Sequence, residues 1–415
     1  MGPEVLMFPF LFIALFFESF LLVTFLSKPA RESRLARRLS PTDALPNVAI
    51  IVPVWNEETT IAGTMESLLA LDYPSDKLSL ILVDDGSTDS TPEVMDRFAE
   101  HPQVTAIHNK KNGGKFTAMN IGIEHAKGAE LIGFLDADSF VAPDALREIV
   151  AEFADPEMMA VTASMSIHKP QTLLQRMQYA EYMLSITLRH AFASINSLYV
   201  TPGPFSFYHR SVFDKIGLFK HAHLAEDMEM AMRMQRAGLR IGNAVRARVY
   251  TKGPPTFPKL LKQRTRWTTG FLRNVLFEYR DLLGSRENAA LGMFMLPLGL
   301  VSVAGGILIF ALSLTELIKS GLHALSVVQA APLSYTMAWH PITWFYLPIT
   351  ATALIGLMLT MSILAWMIVG KYFSKTPGTL AFNVAIYMLL YGIVAPLWLI
   401  RSVSDVALGT NTPWR

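Results

Sequence analysis

Four short clusters carry the chemistry legible in this chain: Asp84-Asp85-Gly86, Asp136-Ala137-Asp138, Glu226-Asp227, and the basic-aromatic run Gln263-Arg264-Thr265-Arg266-Trp267. Carboxylates at i and i+2 leaving a strand can turn toward one point. Their hard oxygens suit Mg²⁺ or Mn²⁺ and leave coordination positions for a diphosphate, so Asp136 and Asp138 are the candidate metal ligands. A carboxylate near a bound electrophilic sugar acts as general base if it reaches an acceptor hydroxyl. Asp227, with Glu226 beside it, is the candidate; the same pair also reads as a helix cap that complements the helix dipole. Arg264 and Arg266 could clamp a diphosphate and Trp267 offers a face to a sugar ring, although a membrane-surface helix with an interfacial Trp explains that stretch equally. Lys115 opens a helix after Asn112-Gly113-Gly114, where its cation and the helix N-terminus meet phosphate oxygens, or it is a solvated Lys after a turn. No Walker A spacing occurs, which argues against a P-loop NTPase.

These clusters need elements to hold them. From Pro46 onward, short β-rich runs alternate with amphipathic helical stretches, the pattern of an α/β domain with a mostly parallel sheet covered by helices. Strands are predicted at Val48 to Val54, Leu78 to Asp84, Val104 to His108, Leu131 to Asp136 and Met159 to Ser166, with helices at about 58 to 70, 91 to 100, 114 to 127 and 143 to 153. Ligands of such sheets bind beyond the carboxyl ends of the strands. The segment Pro53-Val54-Trp55-Asn56-Glu57 ends the first strand, Asp84-Asp85 the second and Asp136-Ala137-Asp138 the fourth. Any one of them is an ordinary turn or cap; all on one sheet edge point to a site.

The remainder of the chain is apolar. Of 415 residues 51% are hydrophobic, 17% are charged and none is Cys, with a mean hydropathy of +0.33. That excludes disorder, disulfides and Cys-ligated zinc and points to a membrane protein. Only nine of the 70 charged side chains lie outside residues 28 to 287, so the charged block is one aqueous domain between bare ends. Residues 5 to 26, Ala289 to Leu314, about Ile342 to Gly370, and Leu380 to Ile400 are long enough to cross a bilayer, and part of 322 to 341 lies at the interface or re-enters. The basic run from Lys28 to Arg38 places that end of the first span in the cytosol. Four spans then leave both termini outside the cell membrane and the charged block inside it. Glu18, within the first span, should face another helix or a polar cavity, or else snorkel. A net charge of +2 gives no reason to expect nucleic acid. The predicted organisation is a transmembrane helix at 1–27, a basic linker at 28–45, a catalytic domain at 46–255, amphipathic interface helices at 256–287 and three further spans at 288–415.

In this order, the Pro-x-aromatic-Asn-Glu at 53 to 57, Asp84-Asp85-Gly86, Asn112 to Lys115, Asp136-Ala137-Asp138, Glu226-Asp227 and the Gln-x-x-Arg-Trp at Gln263, Arg266 and Trp267 resemble the membrane-bound processive members of glycosyltransferase family 2. Those are the cellulose, chitin, hyaluronan and poly-N-acetylglucosamine synthases. The resemblance covers roughly residues 46 to 283 and implies a glycosyltransferase-A type domain that uses a UDP-sugar. It implies a base pocket near Pro53, Val54, Glu57, Asp84 and Asp85, a divalent cation on Asp136 and Asp138, and an inverting displacement with Asp227 as base. Lys115, Gln263, Arg264 and Arg266 would support the pyrophosphate, and Trp267 the acceptor sugar. Thr201 to Pro204, with Gly203 and Pro204, looks like the acceptor-side segment of chitin and hyaluronan synthases and hints at N-acetylglucosamine. Ala225 departs from the Thr common before Glu-Asp, which weakens a cellulose-like subtype. The expected activity is extension of a polysaccharide, with chain translocation. The alternatives are transfer to a lipid (ceramide, diacylglycerol or polyprenyl phosphate) and, of another class, a transporter with a nucleotide-sensing domain, against which the spans show no inverted repeat.

Overall fold

The computed structural model describes residues 4–27, 45–222, 225–330 and 350–410. Its strands are β1 (Val48–Val54), β2 (Leu78–Asp84), β3 (Val104–His108), β4 (Leu131–Phe134), β5 (Ser139–Val141), β6 (Met158–Ile167), β7 (Ser206–His209) and β8 (Arg240–Thr251). Its helices are α1 (Glu4–Ser27), α2 (Ile61–Leu69), α3 (Thr91–Ala99), α4 (Lys115–His125), α5 (Ala145–Glu152), α6 (Leu173–Ser194), α7 (Ser211–Ile216), α8 (Glu226–Arg236), α9 (Phe257–Arg273), α10 (Leu296–Ala330), α11 (Ala351–Ser374) and α12 (Ala381–Ala407).

The strands form one mixed sheet in the order β3-β2-β1-β4-β7-β6-β8-β5. Strands β3, β2, β1 and β4 run parallel, β7 pairs antiparallel with both β4 and β6, β8 returns parallel to β6, and β5 closes the edge antiparallel to β8. Alternation along β1 explains why it is central: Ile50 and Val52 enter the core on one face, Ala49 and Ile51 the core on the other, and all are buried. Register aligns Val54 with Asp84 and Asp84 with His108. The polar segments after β1 and β2 therefore emerge at the same level.

One strand boundary differs from expectation, and one strand beside it was not expected. The fourth strand stops at Phe134, because the Asp136 carbonyl accepts from the Ser139 amide at 3.0 Å; Asp136 to Asp138 form a turn into β5 rather than a strand end. The antiparallel β7 enters opposite β4, pairing Ser206 with Phe134, and brings Thr201 to Pro204 to the turn.

The amphipathic stretches are helical as expected. A reciprocal cap starts α6, with the Gln175 amide donating to Thr172 Oγ1 at 3.2 Å and the Thr172 amide to Gln175 Oε1 at 3.1 Å. Acidic Glu226, Asp227 and Glu229 in the first turn of α8, and Arg233 and Arg236 in its last, match the dipole.

Among the described residues, four helical stretches are long and apolar enough to cross a membrane: Met7–Thr24, Ala290–Ala330, Ala351–Ser374 and Ala381–Ala407. The second continues well past Leu314 to Ala330, so residues 322 to 330 are helix; its length of about 60 Å at 1.5 Å per residue exceeds one bilayer core. Residues 331 to 349, including the expected start of the third span at Ile342, and the basic residues 28 to 44 lie outside the described residues. Glu18 faces α11, where Ser362 Oγ and Trp366 Nε1 both donate to its Oε2, at 2.8 and 2.5 Å. That contact meets the requirement that an acid within a span has a polar partner.

Candidate active site

The ends of β1, β2 and β4 frame a cavity of about 1800 Å³. Of the residues singled out in the sequence, Pro53, Val54, Glu57, Asp85, Lys115, Asp136, Asp138, Gly203, Pro204, Glu226, Asp227, Gln263, Arg266 and Trp267 all line it. Asp84 and Arg264 do not. The cavity also runs past Arg189, Tyr182 and Tyr199 to Phe17 of α1, Leu298, Ser302 and Val303 of α10, and Tyr391 and Leu399 of α12. Pockets for one small ligand are usually about 300–1,000 Å³, so there is room for two substrates together.

Asp84 and Asp85 divide their work. Buried Asp84 accepts from the Ser87 amide at 2.9 Å and meets His108 Nδ1 at 3.5 Å, which shapes the turn after β2. Asp85 accepts from the Gly113 and Gly114 amides at 2.9 and 2.8 Å and so clamps the loop that launches Lys115. Directly after them Gly86 holds φ +74°, and a Cβ there would stand 2.8 Å from the Asn112 amide nitrogen; glycine is required both for the turn and for the close loop.

Lys115 pairs with Asp136 Oδ1. Gly203 covers this pair, since a Cβ on it would lie 2.8 Å from Lys115 Nζ and 3.0 Å from Asp136 Oδ1. Burial, then Asp136, then Glu57 push the Asp138 carboxyl up to about 6. Three acids thus converge with one Lys to balance them, and the donor chemistry fits a hard divalent cation. No three potential ligands among the described residues are arranged to hold a metal by themselves. Asp136 and Asp138 would hold it together with diphosphate oxygens, as an open site requires.

Across the cavity, Asp227 lies in the first turn of α8. Its carbonyl accepts from Thr201 Oγ1 at 2.8 Å, and Thr201 in turn accepts from Tyr208 at 2.8 Å, so the base candidate is fixed to the Thr201 to Pro204 segment. Burial raises the Asp227 carboxyl above the usual range, while Lys115 and Arg266 oppose that rise. Glu226 is raised as well, again chiefly by burial. Gln263 presents a buried amide oxygen with no partner among the described residues, an acceptor left for a ligand.

Arg264 corrects the sequence reading. It turns away from the cavity, binds Glu181 at 2.8 Å and lies 4.2 Å over the Trp267 ring. A buried Arg needs such a partner, and here the pair braces Trp267 instead of gripping a pyrophosphate. Glu181 and Arg189, both on α6, were missed, because an isolated charge on an amphipathic helix carries no local signal.

A parallel-led sheet with its acids gathered at the strand ends, facing a basic-aromatic helix, is the arrangement the comparisons with known proteins place in a family. The profile described as "Glycosyltransferase like family 2" matches residues 46–270, and the chain belongs to that family. It is 29% identical over 239 residues to the beta-monoglucosyldiacylglycerol synthase of Synechocystis, covering 57% of this chain and 50% of that protein. It is also 29% identical over 245 residues to the poly-beta-1,6-N-acetyl-D-glucosamine synthase of Staphylococcus aureus, covering 58% and 59%. The chain thus spans between half and three-fifths of these relatives. Among solved structures it is similar to the mannosyltransferase PcManGT from Pyrobaculum calidifontis in complex with GDP-Man and Mn²⁺, at a TM-score of 0.58 and 20% identity, covering 96% of this chain and 99% of that one. That likeness extends the shared fold through the apolar helices.

Proposed function

We propose that the chain transfers a sugar from a nucleoside diphosphate sugar, a UDP-sugar by its resemblance, to a hydroxyl that approaches from the membrane side. The observation that carries this reading is a single cavity joining Asp138, Asp227 and Trp267 to Phe17, Ser302 and Leu399 between the apolar helices. Asp227 takes the acceptor proton as the acceptor oxygen forms a bond to the anomeric carbon, the bond to the diphosphate breaks on the opposite face, and the nucleotide leaves. Lys115, Arg266 and Gln263 orient donor and leaving group, and Trp267 supports the acceptor. A divalent cation, when bound, neutralises charge on the departing diphosphate.

The apolar walls Phe17, Leu298, Val303 and Leu399 favour an acceptor hydroxyl on a membrane lipid. Trp267 in the wall favours the second reading, a growing polysaccharide. Incubation of the protein in nanodiscs with UDP-N-acetylglucosamine, UDP-glucose or GDP-mannose and Mg²⁺ or Mn²⁺ tests the proposal. The expected result is nucleotide release with sugar recovered on extractable lipid. Polymer would favour the second reading, and no release from any donor would favour a nucleotide-sensing transporter.

We further infer a cytosolic catalytic domain and an N-terminus outside the cell membrane, as the basic run implies. Four crossings would put the C-terminus outside too, but the contacts of α12 favour the cytosolic side. Near its start Asn383 meets Arg176 of α6 at 3.5 Å, and just past its end the Thr410 carbonyl accepts from Arg273 of α9 at 2.5 Å. The segment after α9 is tied to α8 by Arg236 on the Glu278 carbonyl at 3.0 Å. A helix held at both ends by the catalytic domain lies along the bilayer face, with exposed Leu389 and Ile393 toward lipid. Because the chain has no Cys, Leu408→Cys supplies a single thiol. An impermeant maleimide should label it only after permeabilisation; labelling of intact cells would restore the outside C-terminus.

A further inference from the structure

Arg189 has no place in the chemistry described so far. It sits near the end of α6, where Thr187 Oγ1 donates to the Trp366 carbonyl of α11 at 2.8 Å and Phe192 packs on Phe17 of α1 at 6.2 Å. That turn of α6 is therefore wedged among the apolar helices, and from it Arg189 lines the cavity. Partly buried, it makes no hydrogen bond and no ion pair with any described residue. The groups that face it electrostatically are Tyr182, Asp227, Tyr199 and Arg264. Arg264 is already neutralised by Glu181, and burial holds the Arg189 guanidinium below the usual Arg range. A fork of donors that opens on the cavity without a partner among the described residues is suited to a phosphate or carboxylate.

We propose that Arg189 binds an anionic phosphate on the acceptor, carried by a membrane lipid whose tail follows the apolar walls and whose hydroxyl reaches Asp227. This rests on the glycosyl-transfer reading and names its acceptor class. The position separates the phosphate from the donor diphosphate: Lys115 and Asp138 stand at the sheet edge, whereas Arg189 stands at the membrane end of the same cavity. A lipid headgroup at the bilayer face brings its phosphate to that end.

Transfer is measured in phosphatidylcholine nanodiscs doped with phosphatidylglycerol or with diacylglycerol, and separately with soluble glycerol 3-phosphate. Wild type should favour phosphatidylglycerol over diacylglycerol in kcat/KM by about tenfold or more, the scale of a hydrogen bond to a charged group. Arg189→Met should abolish that preference and Arg189→Lys should keep part of it. Equal loss on both lipids would make Arg189 a charge that only positions Asp227 and would overturn the proposal. Glycerol 3-phosphate matching the lipid would overturn the requirement for a tail. If the Met variant does not fold, wild type alone decides, because equal use of the neutral and anionic lipids sinks the proposal. No turnover with any acceptor would instead sink the transfer reading beneath it.

Discussion

Asp227→Asn should lower sugar transfer by about 10²–10⁴-fold, the usual contribution of a general base, and leave nucleotide affinity within a few-fold of wild type. The asymmetry follows from placement. Asp227 lies in the first turn of α8, fixed through its carbonyl to Thr201, while the loops proposed to hold the nucleotide stand at the ends of β1 and β2. Asn keeps the volume and can still receive the Met228 amide that Asp227 Oδ1 accepts at 2.9 Å; only the proton acceptor is lost. The pH profile gives a second check. Burial raises the Asp227 carboxyl, and a base works only when deprotonated. The acid limb of kcat should therefore fall at a pH above the ordinary Asp value of about 3.9, and in the Asn variant the residual rate should lose that limb. Nucleotide binding and turnover lost together, measured by titration calorimetry and product release, would reassign Asp227 to donor binding or to folding.

The acids were readable from sequence because strands expose their ends at a predictable edge, and three separate loops supplied carboxylates there. What each carboxylate does was less readable. Asp84 and Asp85 are neighbours with the same chemistry, but one is spent on its own turn and the other on the Gly113-Gly114 amides, a choice made by register between β2 and the loop before α4. Arg264 and Arg266 are two apart on one helix, so they point in different directions; spacing alone shows that they diverge but not which one meets the cavity. Arg189 was invisible because its meaning comes from packing: α6 is pinned by α11 and α1, and that contact turns an ordinary interface charge into one that lines the cavity with no partner among the described residues. The end of α12 shows the same limit: hydropathy marks a helix that lipid tolerates but not whether it crosses, and the Arg273 contact with Thr410 is the observation on which the proposed cytosolic C-terminus rests.

Asp138→Asn should change two properties in opposite directions. Mn²⁺ affinity, read by electron paramagnetic resonance with UDP present, should drop by at least about 10–100-fold, the loss typical even for residues one step removed from a metal. Metal-free thermal stability near neutral pH should rise. The sign follows from linkage. The Asp138 carboxyl titrates at about 6 when folded, above its unfolded value of about 3.9, so the unfolded chain holds fewer protons between those values and stability falls as pH climbs through that window. Above it the folded protein carries an uncompensated charge that burial, Asp136 and Glu57 all oppose. Asn removes the charge and keeps the shape. Wild type should accordingly gain melting temperature when Mn²⁺ and UDP are added at neutral pH, the variant much less, and the two metal-free proteins should converge below about pH 4, where Asp138 is protonated in both states. A residue that merely caps the turn into β5 would lose stability on the same substitution at every pH and leave Mn²⁺ affinity in the folded fraction unchanged. Only a group strained in the absence of metal becomes more stable by giving up its charge.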